Sequence, residues 1–203
     1  MRLFVLIIII LVLGTSGYFI IYHPNQILTP NTSTSPTVSL PASVHTYRSS
    51  QYGFQFSYPN DFSSVTPTVS FLKEPIVQFQ ANASKYPKTN LGDYSFSVSI
   101  GTDTANCTWG VDGGPNAGNP LRDKININGA LFYKDIVTGA GAGNFYDSHI
   151  YRIIQGSRCF EIAMTIHTSN IDNYPAELGI KAVNTDPIWA ELNQVLNTFK
   201  FTK

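Results

Sequence analysis

The chain has 203 residues, enough for one domain of ordinary size and an appendage. Only 13% of its residues are charged, about half the usual share of roughly 25%, and 13 Lys and Arg balance 13 Asp and Glu. With no basic run there is no electrostatic footprint for a nucleic acid, and none is expected as a partner.

Residues 3–22, "LFVLIIIILVLGTSGYFIIY", carry no charge, and a helix of that length crosses a hydrocarbon core of about 30 Å. Arg2 lies before the run and no basic cluster follows, so the positive-inside bias leaves the N-terminus in the cytoplasm and sends the rest across. The alternative is a cleaved signal peptide, since "GTSG" offers small residues to a peptidase. A signal core is about 7–15 residues, however, and here the apolar run continues through Phe19, Ile20 and Ile21, which favours an uncut anchor. No Cys lies near it for lipoprotein-type attachment. Residues 23–46 are rich in Ser, Thr and Pro and read as an extended linker. Asn31, Asn82 and Asn106 each begin an N-x-Ser/Thr triplet, which a chain so rich in these residues produces readily by chance.

The folded domain is expected over residues 47–203. "YGFQFSYP" places Phe54, Phe56 and Tyr58 on one side of a strand that Pro59 ends. "YSFSVSIG" alternates Tyr94, Phe96, Val98 and Ile100 with Ser95, Ser97 and Ser99, and the serine face should meet solvent or lie lightly covered. From Thr102 to Pro120 the sequence becomes a long Gly-rich loop containing Trp109. Long loops are often functional and an exposed Trp is a favoured binding anchor, so Trp109, Asp112 and Asn116 are the candidate binding residues. The alternative for Trp109 is that it caps the edge of the core. Asp103, Asp112 and Asn116 offer oxygens to calcium, but two carboxylates without a ligand spacing make a poor site, and no metal or cofactor is expected.

Asn128-Gly129 predicts a type I′ hairpin turn. "TGAGAGN", residues 138–144, lacks the helix that a phosphate loop needs after it and reads as a flexible inter-strand loop. A second hairpin should turn on Gly156-Ser157, which sets Gln155 opposite Arg158 and Arg152 opposite Glu161, a cross-strand ion pair worth only tenths of a kcal/mol. The same register sends His149 and His167 to opposite faces, so they cannot share a metal. Cys107 and Cys159 are the only cysteines, and beyond a membrane they should form one intrachain disulfide that ties the long loop to the hairpin's outer face. Asp186 and Pro187 open a helix whose apolar stripe is Ile188, Leu192, Val195 and Phe199, widened by Trp189 and Leu196. A shorter helix is expected near Ala176–Lys181. There is no G-x-S-x-G, H-E-x-x-H, C-x-x-C or P-loop, and no enzyme is expected.

The order of "YGFQFSYPNDF", "INGALFYKDIVTG", "YRIIQGSRCFEI" and "LNTFKF" resembles the PsbP-like domain family, whose type members are extrinsic subunits of the photosynthetic oxygen-evolving complex. The resemblance spans Tyr47 to Lys203. It implies an α/β/α sandwich around an antiparallel sheet, and a binding and assembly scaffold rather than an enzyme. An anchor stands here in place of a transit peptide and no photosystem-docking residue can be matched, so the photosynthetic role is not carried over. The expected protein is therefore α+β, an antiparallel β-sheet with packed helices preceded by one transmembrane helix. It sits in the cell membrane with its domain extracytoplasmic, and binds or assembles with a protein of the envelope or extracellular space. The alternatives are a pilin-like structural surface subunit and an enzyme with dispersed catalytic residues.

Overall fold

The computed structural model describes residues 43–67, 74–112 and 114–202. The expected anchor, and the linker up to residue 42, lie outside them; among the described residues no helix is long and apolar enough to cross a membrane.

The described chain is mostly antiparallel sheet with one α-helix. Seven strands form the main sheet: β3 (Ser63–Val65), β4 (Glu74–Asn82), β5 (Leu91–Gly101), β6 (Lys124–Ile127), β7 (Ala130–Gly141), β8 (Asn144–Gln155) and β9 (Arg158–Ser169), in the order β3-β4-β5-β9-β8-β7-β6. A smaller sheet has the order β1-β2-β10, built from β1 (Val44–Ser49), β2 (Phe54–Pro59) and β10 (Lys200–Phe201). The helix, α1, is Asp186–Thr198. β1 begins at Val44 and pairs its whole length with β2, so the last three residues assigned to the linker belong to the fold.

Both turn assignments hold. Asn128 and Gly129 have φ of 48° and 88°, the two positive values a type I′ turn requires. Gln155 pairs with Arg158 and Arg152 with Glu161, as the Gly156-Ser157 turn demands. The glycine run at 138–144 is not a flexible loop. Gly139 and Gly141 are strand residues facing Tyr146 and Asn144, and the chain reverses in two residues, Ala142 and Gly143, both at positive φ.

The inner face of the main sheet carries the core. Tyr94, Phe96, Val98 and Ile100 on β5 and Phe160, Ile162, Met164 and Ile166 on β9 are all buried against Phe54 and Phe56 of β2 and against Ile188, Leu192, Val195 and Leu196 of α1. The Phe56 and Phe96 rings lie 4.8 Å apart, and fully burying one such ring contributes about 1.5–3 kcal/mol. α1 starts one residue earlier than its cap residues suggest: Thr185 precedes it, Asp186 lies in its first turn, and the Asp186 N–H donates to Asn184 Oδ1 (3.1 Å). Glu191 pins the helix to the sheet, accepting from the Tyr94 hydroxyl (2.6 Å) and from Lys85 Nζ (2.7 Å). Burial, then the adjacent Glu191 carboxylate, pushes the Tyr94 hydroxyl's pKa well above its ordinary value. The shorter helix expected near Ala176–Lys181 is a single 3₁₀ turn, Ala176–Leu178, stopped by the left-handed Gly179.

With one α-helix among the described residues, on the same side as the small sheet, the helix-on-both-faces sandwich implied by the resemblance is not what covers this sheet. The serine face also differs from expectation, since Ser95, Ser97 and Ser99 are buried. β5 is interior, and its short hydroxyls sit between longer side chains on β4 and β9, such as Gln78, Glu161 and Thr165.

His149 lies on the inner face opposite Met164, its ring stacked 3.9 Å from that of Trp189 on α1. His167 lies on the outer face, as the alternation requires. Burial, helped by nearby Lys134, lowers the His149 pKa from 6.5 to about 4. The unfolded chain then binds one more proton than the folded chain between those values, so this ring's contribution to stability is present above pH 6.5 and is lost as pH falls towards 4. His149→Phe should remove on the order of 3 kcal/mol of that pH dependence, read as a flatter plot of unfolding free energy against pH from 6.5 to 4. An unchanged slope would show that the ring is solvated.

Candidate functional site

Residues 102–123 cross from β5 to β6 over the outer face, at the end of the sheet where β8 and β9 turn. The loop is tied down at several points. Cys107, in a 3₁₀ turn (Asn106–Thr108), is disulfide-bonded to Cys159 at the start of β9, with Cα atoms 5.6 Å apart. Two-residue contacts fold the loop on itself: the Leu121 N–H donates to Thr108 O (2.7 Å) and the Gly110 N–H to Asn119 O (2.8 Å). Gly110 is required here by closeness, because a Cβ on it would stand 1.9 Å from the Asn116 carbonyl oxygen.

Three buried charged side chains under the loop complete its support. Asp135 of β7, 2% exposed, accepts from the Val111 N–H (2.9 Å), Asn116 Nδ2 (2.9 Å) and the Ile136 N–H (3.0 Å). Arg152 is 6% exposed and Glu161 1%. The Arg152 Nε and Nη2 donate to Glu161 Oε2 at 2.8 and 2.7 Å, and Nη1 reaches Trp109 O at 3.2 Å. The pair predicted from register is therefore present, but it is buried beneath the loop rather than exposed. Val111 packs in the same region on Val137, Ile150 and Ala163, a small apolar cluster on the outer face.

Above this base Trp109 is 40% exposed, so it is not a core residue. It borders a cavity of about 350 Å³ with Asn106, Asp112, Gly118 and Arg152. Of the three candidate residues, the structure brings Trp109 and Asp112 together and sets Asn116 apart. Asn116 lines a neighbouring cavity with Asn119 and Arg122, and its amide is held by Asp135. Asp103 accepts from the Asn106 backbone N–H and Nδ2. Among the described residues no group of three His, Cys, Asp or Glu is placed to hold a metal ion.

Neither histidine resembles half of a catalytic pair. His149 is covered by Trp189. His167 directs Nδ1 at Asp93 Oδ2 (3.1 Å) and Nε2 at Asn144 Oδ1 (2.8 Å), so the nitrogen that would activate a nucleophile faces an amide oxygen.

No family model matches the chain, and no curated protein matches it. Solved structures are similar to it at a distance. A crystal structure from Bacteroides thetaiotaomicron VPI-5482 aligns with a TM-score of 0.44 and 16% identity over 78% of this chain and 48% of that one, so the chain spans about half its length. The solution structure of cyanobacterial PsbP (CyanoP) from Synechocystis sp. PCC 6803 gives 0.42 and 14%, over 84% of this chain and 98% of that one. LpqN, involved in cell envelope biogenesis of Mycobacterium tuberculosis, gives 0.41 and 9%, over 79% and 91%. A PsbP structure is thus among those the chain is similar to, at a distance that assigns it to no family.

Proposed function

We propose that this is a single-pass membrane protein with a cytoplasmic N-terminus, whose extracytoplasmic domain binds or assembles with an envelope or extracellular component and carries out no chemistry of its own. The observation that supports this most directly is the 102–123 loop. A disulfide, a buried ion pair and a buried carboxylate fix its backbone while Trp109 is left facing solvent. Ordering a loop before a ligand arrives removes part of the entropy that binding otherwise costs. The component expected from the sequence is a protein.

Two measurements test the reading. Protease added to intact cells should release a resistant fragment whose first residue lies between His23 and Ser43, just ahead of β1; a mature protein starting near Gly17 would refute the anchor. Full-length protein should also recover a stoichiometric component from solubilised envelope. Trp109→Ala should abolish that recovery while changing unfolding free energy by less than about 1 kcal/mol, as expected for an exposed side chain. A larger stability loss with recovery intact would place the binding surface elsewhere, and recovery of the chain alone would favour a self-assembling subunit.

A further inference from the structure

We propose, resting on the reading above, that the cavity beside Trp109 is a saccharide site, and that the group it takes is a neutral sugar ring, carried on a partner protein or belonging to a free polysaccharide. The groups left open around the cavity favour a ligand that both donates and accepts. Among the described residues, the Trp109 indole N–H has no acceptor, and neither Asp112 nor the Asn106 Oδ1 accepts a bond. The first is a donor and the other two are acceptors. A lysine or arginine side chain offers donors alone and would leave the indole N–H unmatched. A carboxylate or phosphate offers acceptors alone and would meet Asp112 as a like charge. Hydroxyl groups both donate and accept, and a sugar presents several on one rigid ring.

Shape and charge agree. Arg152, among the described residues the one cation lining the cavity, is already neutralised by Glu161 beneath it and holds the Trp109 carbonyl, so it acts as a support rather than an anion hook. Gly118 gives the wall no side chain and has open space where a Cβ would stand, which leaves room for a ring to approach the backbone while its C–H face lies on the indole. About 350 Å³ lies at the small end of the roughly 300–1,000 Å³ typical of small-molecule sites, as suits a sugar unit gripped at one ring. Trp109 is then the stacking platform, and Asp112 and Asn106 accept from hydroxyls.

The test uses the full chain in phosphatidylcholine nanodiscs, which avoids sugar-headed detergents. One arm titrates it with neutral oligomers of glucose, mannose and N-acetylglucosamine and follows its two indole N–H resonances by NMR. The other compares recovery of envelope glycoprotein before and after periodate oxidation of its glycans. The expected result is a saturable shift of the Trp109 signal with the Trp189 signal unmoved. Affinity should fall by at least about tenfold in Trp109→Ala, be partly kept in Trp109→Phe, and fall in Asp112→Ala. Binding of free oligomers identifies a polysaccharide source, and periodate-sensitive recovery without it identifies a protein-borne glycan. Trp109-dependent recovery that survives periodate, with no oligomer bound, overturns the saccharide and leaves the binding domain standing. Absence of any Trp109-dependent binding in both arms overturns both.

Discussion

Arg152→Met should destabilise the domain by about 3–5 kcal/mol in denaturant unfolding, because it leaves the Glu161 carboxylate, 1% exposed, in the protein interior with its counter-charge gone. An exposed pair in the same register would be worth only about 0.2–1 kcal/mol, so the measurement separates the two environments cleanly. The companion variant Arg152→Met/Glu161→Leu should recover most of the loss, since an apolar pair of similar volume avoids desolvating either charge. It should nevertheless loosen the loop, because the bond to Trp109 O is lost in both. A single-variant loss below about 1 kcal/mol would mean that water reaches the pair.

Removing the disulfide with Cys107→Ser/Cys159→Ser should cost about 4 kcal/mol, the chain-entropy value for a link across 52 residues. The loss should be accompanied by fast amide exchange from 102 to 112, where the loop would then be held mainly by Asp135 and Arg152. Intact mass with and without reductant, followed by alkylation, checks the bond itself. Two freely alkylated cysteines in folded, oxidised protein would remove it, together with this account of a preordered loop.

What could be read from the chain follows from how local the determining interactions are. The alternation in β5, the turn at Asn128-Gly129 and the apolar stripe of α1 are set within a few residues, and each appears where expected. β4 carries the same alternation, Val77, Phe79 and Ala81 against Gln78 and Gln80, yet it is not among the strands expected from the sequence, and Pro75 lies near its start. The structure accommodates that proline at a register shift between Pro75 and Val77, where a ladder bond is not needed. β1 gave almost no signal because most of its residues are exposed and it continues a Ser/Thr-rich run. In the loop, Trp109 and the cysteines stood out by rarity. Asp135 did not: it is one polar residue on an alternating strand, and only the tertiary fold sets it 2.9 Å from Val111, 24 residues away. Arg152 and Glu161 were paired by register alone, but their burial depends on a loop that crosses above them and is invisible to any local pattern.

The small sheet has a mechanical consequence. β1 and β10 flank β2, both antiparallel to it; Val44 lies beside Pro59, at one end of β2, and Phe201 beside Phe54, at the other. Tension applied between the two ends of the domain therefore enters this sheet at opposite ends of its middle strand. Within each ladder, β1 with β2 and β2 with β10, the hydrogen bonds are loaded side by side, in shear, instead of opening one after another like a zip. A domain held at its first strand and pulled through its last would meet that load with the sheet in its strongest direction.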